Sequence, residues 1–259
     1  MNVKDLFDLS GKVAIVTGGH AGIGHHVSIG LAEMGASVVI AARKAAKCEE
    51  AAEEIKQLGG QSLPVACDIS RAEDVQNLVD RTIEQFKTID ILVNNAGVTW
   101  GVPADKMKLE DWERVIRTNL TGTFLCTQAA GRVMLSRKSG KIINLASATA
   151  LAADESVEAV AYTASKGGII SMTRDLAMQW AKENIQVNCI APAFFLTRMT
   201  EWMTRKGHED LYAGLLSRIP MQRPGGEDDI KGVAVFLASR ASDYITGKII
   251  VVDGGLVRS

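Results

Sequence analysis

Apolar positions in this chain fall into short unbroken runs, separated by longer stretches with helical spacing. Val13-Ala14-Ile15-Val16 shows no alternation of apolar and polar residues, which predicts a strand covered on both faces, and a helical pattern over Ile23–Met34 follows it after a set of glycines. Gly35 stops that helix. Ala36–Ala41 repeats the buried-strand signature, Ala45–Leu58 is helical with Gly59-Gly60 behind it, and Leu63–Cys67 makes a third strand. The pattern continues with helices at Ala72–Phe86, Leu109–Arg137, Tyr162–Lys182 and Ile230–Ala238, and with strands at Ile89–Asn94, Lys141–Ala146, Gln186–Ile190 and Ile249–Asp253. Strands alternating with helices require an α/β, doubly wound parallel sheet of the Rossmann kind, with helices on both faces. No linker interrupts it, so residues 1–259 read as one domain. Its least regular stretch, about 191–226, carries Phe194, Phe195, Trp202 and Tyr212, and is read as the substrate-binding region.

Composition narrows the function. Lys and Arg total 29 against 30 for Asp and Glu, and no basic cluster is large enough to follow a phosphate backbone, so nucleic acid is not an expected partner. The first ten residues carry Lys4, Asp5 and Asp8 in place of a basic region and apolar run, and no stretch reaches the ~18 apolar residues that a membrane span needs. A cytoplasmic location with no membrane contact is the expectation. Cys48, Cys67, Cys126 and Cys189 are widely spaced, and His20, His25 and His26 have no acidic or thiol partner at ligand spacing. No metal site is expected.

The run from Thr17 to Gly24 follows the first strand and opens the first helix, with glycines at 18, 22 and 24. Missing side chains let the backbone approach a pyrophosphate, whose charge is favoured by free N–H groups and by the positive end of the helix. This is a dinucleotide site in form. An acid at the end of the second strand would hold a ribose 2′-hydroxyl, whereas an arginine there accommodates a 2′-phosphate. The chain has Ile40-Ala41-Ala42-Arg43, which predicts NADP(H) over NAD(H); a second basic residue is missing from the turn, where Ala21 stands.

Tyr162 and Lys166 stand four residues apart, on one face of a predicted helix. A free tyrosine has a pKa near ~10, and a neighbouring cation is expected to lower it and so prepare the phenol for proton transfer.

With these residues in view, the chain resembles the short-chain dehydrogenase/reductase family over nearly its whole length. The likeness rests on the turn from Thr17 to Gly24 with His20 and Ile23, on Asp68 and Ile69, and on Asn94-Asn95-Ala96-Gly97. It rests further on Asn119, on Ser147, on the Tyr162/Lys166 pair and on Asp253-Gly254-Gly255. The resemblance implies that Asp68 meets the adenine ring, that Asn95, Ala96 and Gly97 border the cofactor, and that Thr197, five residues past Pro192, contacts the carboxamide. It implies Tyr162 as general acid/base, Ser147 holding the substrate oxygen, Lys166 on the nicotinamide ribose, and Asn119 positioning a water. It implies a homotetramer, with the tyrosine helix and the helix before it packed across a two-fold axis.

Two departures from the family pattern bear on substrate. Ala193 follows Pro192 where glycine is usual, and the segment between Ser147 and Tyr162 is longer, with Asp154, Glu155 and Glu158. Those acids argue against a strongly anionic substrate unless Arg198 or Arg205 compensates. The expected function is an NADP(H)-dependent oxidoreductase for a small polar alcohol/carbonyl pair, such as a sugar acid or polyol. Reduction of 3-oxoacyl-[acyl-carrier-protein] is the alternative within the same chemistry, and a dinucleotide-binding regulator without catalysis is the alternative outside it.

Overall fold

Four of the apolar runs are strands buried at every residue: β1 (Val13–Thr17), β4 (Ile91–Asn94), β5 (Gly140–Leu145) and β6 (Ile185–Pro192). With β2 (Ser37–Ala42), β3 (Ser62–Ala66) and β7 (Ile249–Val252) they form one seven-stranded sheet in the order β3-β2-β1-β4-β5-β6-β7. Every pairing is parallel. The two outermost strands are the ones that keep partly exposed residues along most of their length, as edge position dictates. A computed structural model describes residues 2–152, 158–197, 200–204 and 207–257.

Eight α-helices accompany the sheet among the described residues: α1 (Gly22–Glu33), α2 (Ala45–Gln57), α3 (Ala72–Phe86), α4 (Leu109–Ile116), α5 (Gly122–Arg137), α6 (Val160–Trp180), α7 (Glu209–Arg218) and α8 (Glu227–Ala238). Alternation within the strands divides the core into two layers. Ala14 and Val16 of β1 join Val27 and Leu31 of α1, Ile55 of α2 and Ile230 of α8, whereas Val13 and Ile15 join Leu78 of α3, Met134 of α5 and Ala177 of α6. Both strand faces are covered, which is why apolar residues dominate the runs and the few polar ones within them, such as Asn94, Asn144 and Asn188, are themselves buried.

Boundaries stay within three residues of the sequence expectation, α3 matching it at both ends, with two larger differences. The helix expected over Leu109–Arg137 is α4 and α5 joined by a wider π-helical turn at Arg117–Thr121, which contains Asn119. Within the irregular 191–226 stretch, residues Glu209–Arg218 form α7, a ten-residue helix with no buried residue.

Chain order runs outward from the middle of the sheet, with β1 pairing β2 on one side and β4 on the other. Loops leaving the carboxyl ends of these strands diverge and leave a crevice. Below it, the central strands carry buried amides that bond one another. Asn94 Nδ2 donates to Asn144 Oδ1 at 2.9 Å and to Thr127 Oγ1 at 2.9 Å, and Asn144 Nδ2 donates to Thr173 Oγ1 at 2.9 Å. These bonds tie β4 and β5 to α5 and α6. Asn144→Ala removes an acceptor and a donor from a fully buried network and is expected to cost about 1–3 kcal/mol, read as a lower urea midpoint; an unchanged midpoint would show that the network adds no net stability.

Candidate active site

The glycine turn lies where it does because β1 and β4 pair. Thr17, at the end of β1, is fully buried, and its hydroxyl accepts the N–H groups of Asn95 at 3.0 Å and Ala96 at 3.1 Å. The segment after β4 is thereby drawn against the turn. Gly18 has φ +68°, and a Cβ there would lie 2.8 Å from Asn95 Nδ2 and 3.1 Å from Ala96 Cα. Gly22 has φ +53°, and a Cβ there would lie 3.2 Å from Thr197. At Gly24 a Cβ would land on the Asn95 amide and the Gly18 carbonyl. Only glycine lets these segments approach so closely. Ala21 caps α1 with no side-chain hydrogen bond, so the first N–H groups of the helix are left to an anion.

A cleft of about 340 Å³ opens above this turn. It is lined by Gly18, His20, Gly22 and Ile23 of the turn, by Arg43 after β2, by Asp68 and Ile69 after β3, and by Asn95, Ala96 and Gly97 after β4. Pro192 and Thr197 close one side, and Ser147, Tyr162 and Lys166 close the far end. Of the expected catalytic and cofactor-binding residues, Thr17, Gly24 and Asn119 do not line the cleft. The first two hold its walls together from behind. Asp154, Glu155, Arg198 and Arg205 lie outside the described residues; Glu158 is exposed, and its carbonyl accepts the Val102 N–H at 2.7 Å.

At the end near β2 and β3, Arg43 is exposed and carries its charge close to Asp68. Burial pushes the Asp68 carboxyl up, but the Ser70 hydroxyl at 2.7 Å and Ser70 N–H at 3.0 Å, helped by Arg43 and Arg71, hold it below the ordinary carboxylate range. Cys67 also lines this end, and burial pushes its thiol up to about 12, so it presents an uncharged wall.

At the other end, one helical turn of α6 presents Tyr162 and Lys166 to the same cleft. Lys166 is 5% exposed; its Nζ donates to the Leu145 carbonyl at 2.6 Å and lies 5.5 Å from the centre of the Tyr162 ring. Burial pushes the Lys166 ammonium down to about 8. The expectation that this cation lowers the tyrosine is corrected here. Burial raises the Tyr162 phenol above its usual range, and the Ser147 hydrogen bond draws it only part of the way back. The ammonium stands over the ring and is engaged with a carbonyl, so its field does not offset the loss of water around the phenol.

Asn119 is fully buried in the π-helical turn. Its Oδ1 accepts the Val98 N–H at 2.8 Å, and its Nδ2 donates to the Val98 carbonyl at 2.9 Å and to Ser165 Oγ at 3.0 Å. Ser165 Oγ in turn donates to the Tyr162 carbonyl at 2.6 Å. Asn119 thus fastens the wall after β4 to the start of α6, with both amide protons engaged within the protein. Sequence reasoning passed over Ser165, over the Leu145 carbonyl and over Thr149, whose hydroxyl is 2.9 Å from that of Ser147. Ser147 before a short turn is a capping pattern that could have pointed to Thr149.

Residues 18–257 match the family described as enoyl-(acyl carrier protein) reductase. The 2-dehydro-3-deoxy-D-gluconate 5-dehydrogenase of Bacillus subtilis is 42% identical over 255 residues, 98% of this chain and 97% of the relative. The 3-oxoacyl-[acyl-carrier-protein] reductase of Synechocystis is 38% identical over 251 residues, 96% of this chain and 98% of the relative. Among solved structures, a gluconate 5-dehydrogenase from Burkholderia cenocepacia in complex with NADP and tartrate superposes with a TM-score of 0.91 at 35% identity, covering 98% of each chain. The chain belongs to the short-chain dehydrogenase/reductase family. It is therefore an oxidoreductase. No helix among the described residues is long and apolar enough to cross a membrane, and no group of three or more His, Cys, Asp or Glu among them could hold a metal ion.

Burial sets opposite titrations at the two closing residues of this short-chain dehydrogenase/reductase. Lys166 should lose its charge near pH 8 and Tyr162 should ionise above the tyrosine reference of ~10. Carbon-13 NMR of lysine- and tyrosine-labelled protein, assigned with Lys166→Met and Tyr162→Phe, measures both; a phenol titrating below the reference value would reverse the electrostatic account.

Proposed function

We propose that the protein interconverts an alcohol and a carbonyl with NADP(H), acting on a small polar substrate such as a sugar acid or polyol. One observation carries this reading: a single cleft joins an uncapped helix N-terminus and Arg43 at one end to Ser147, Tyr162 and Lys166 at the other. The glycine cradle suits a pyrophosphate, because glycines at 18, 22 and 24 leave the backbone before α1 bare of side chains and the first N–H groups of the helix have no side-chain cap. Gly18, His20, Gly22, Ile23, Asn95, Ala96, Gly97, Pro192 and Thr197 would hold the dinucleotide, with Arg43, Asp68 and Ile69 around its adenosine end. When bound, the dinucleotide supplies or accepts the hydride.

Tyr162 is assigned as general acid/base. In reduction its hydroxyl proton goes to the substrate oxygen, and in oxidation the phenolate takes the alcohol proton. Ser147 donates a hydrogen bond to the same oxygen, Lys166 holds a ribose hydroxyl from the cleft floor, and Asn119, fixed in the wall through Ser165, positions a water for proton relay. A phenol raised by burial keeps its proton at neutral pH, which favours reduction; oxidation needs that proton removed, so its rate rises toward alkaline pH. Tyr162→Phe is expected to lower kcat by roughly 10²- to 10⁴-fold while dinucleotide affinity is retained. Nicotinamide absorbance followed with polyols, keto sugar acids and oxoacyl thioesters checks this, and turnover retained in Tyr162→Phe would remove the residue from the mechanism.

Similarity to a gluconate 5-dehydrogenase and a 2-dehydro-3-deoxy-D-gluconate 5-dehydrogenase supports the sugar-acid reading. Likeness to a 3-oxoacyl-[acyl-carrier-protein] reductase supports the second reading, which the thioester arm of the same screen tests. The chain is further proposed to act as one domain over 1–259, with 191–226 over the substrate, and as a cytoplasmic homotetramer. Exposed Leu109, Phe124 and Met178 on α4, α5 and α6 support packing of those helices against a second copy.

Arg43 is the proposed reader of the 2′-phosphate, and the structure solved with NADP supports a phosphorylated cofactor for that relative. Arg43→Ala should raise the KM for NADPH by roughly 10- to 100-fold, the worth of a charge-assisted hydrogen bond, and leave that for NADH little changed. Equal kinetics of wild type and variant with NADPH would show that Arg43 does not read the phosphate.

A further inference from the structure

A serine hydroxyl has one proton and two lone pairs, so its neighbours decide where the proton points. Thr149 approaches Ser147 twice. Its N–H donates to Ser147 Oγ at 3.3 Å, and its own hydroxyl lies 2.9 Å from that oxygen. The backbone holds Thr149 in this place: Ala150 N–H donates to the Ser147 carbonyl at 3.0 Å, and Leu151 and Ala152 N–H groups donate to the Ala148 carbonyl at 2.9 and 3.2 Å. Ala148 beneath it is buried. The threonine hydroxyl is therefore directed at Ser147 by a turn that does not depend on that hydroxyl.

A substrate carbonyl oxygen offers lone pairs only. Were Ser147 to give its proton to Thr149, the serine would face the substrate with lone pairs, and the two oxygens would repel. With both the N–H and the O–H of Thr149 directed at Ser147 Oγ, the lone pairs of the serine are occupied and its proton is left for the cleft side, where the Tyr162 hydroxyl is its partner in this structure and the reacting oxygen would share it in the complex.

We propose that Thr149 is a positioning residue whose hydroxyl donates to Ser147 Oγ and so turns the Ser147 proton toward the substrate oxygen. The inference rests on the roles proposed above for Ser147 and Tyr162. Such a residue acts on the chemical step and leaves cofactor binding alone.

The test measures reduction of 5-keto-D-gluconate or an acetoacetyl thioester, whichever the wild type turns over, at saturating NADPH. Thr149→Val keeps the branched shape and the N–H but lacks the hydroxyl, Thr149→Ala lacks it with less bulk, and Thr149→Ser restores it. Both hydroxyl-less variants should lose roughly tenfold in kcat, with substrate KM and dinucleotide affinity held within about twofold and Thr149→Ser close to wild type. Undiminished kcat in either hydroxyl-less variant overturns the inference. So does a raised substrate KM at constant kcat, which would make Thr149 a substrate contact, and so does failure of Thr149→Ser to restore the rate. Tyr162→Phe, measured alongside, separates the two levels. Turnover surviving there removes the underlying reading, whereas loss there together with a wild-type rate in Thr149→Val removes only the role of Thr149.

Discussion

Everything at the site depends on how closely the turn after β1 approaches the segment after β4. The Thr17 hydroxyl accepts two N–H groups from Asn95 and Ala96, and the Asn95 amide donates to the Thr17 carbonyl at 3.0 Å. Side chains at Gly18 or Gly24 would occupy the space that Asn95 fills. The two central strands thus set the floor of the cleft, and α1 begins directly on it with its N–H groups uncapped. Such a turn suits a dinucleotide, because its backbone N–H groups can approach a pyrophosphate with no side chain between them.

Removal of water governs the far end of the cleft. Burial favours the uncharged form of each group, so it raises the Tyr162 phenol and lowers the Lys166 ammonium. The Leu145 carbonyl gives the ammonium one fixed partner, and the Asn119–Ser165 chain fixes the backbone of Tyr162 itself. Proton donor and cation are thereby held in place by bonds that do not involve the phenolic oxygen. That leaves the oxygen to Ser147 and to whatever lies in the cleft.

Much of this was legible from the chain. Unbroken apolar runs reported strands covered on both faces, and glycines at 18, 22 and 24 reported a close approach, because both signals come from local composition. The spacing of Tyr162 and Lys166 put them on one helical face for the same reason. Helix α7 escaped because it is only ten residues long, packs none of them into the core and lies inside a stretch whose flanks are irregular. The π-helical turn at Arg117–Thr121 escaped because an extra residue in one helical turn barely disturbs the apolar pattern on either side.

The sequence by itself determined the layered α/β architecture, the glycine turn and the placing of Tyr162 and Lys166 on one helical face, since these depend on periodicity, on residue type and on spacing within single elements, whereas Ser147 was named by the family resemblance. Tertiary structure alone decided that Asn119 is a clamp within the wall, that Thr149 touches Ser147, and that the tyrosine is raised and not lowered. Those outcomes turn on distances between separate elements and on how much water each group loses, and neither quantity is written in the order of residues along one strand or helix.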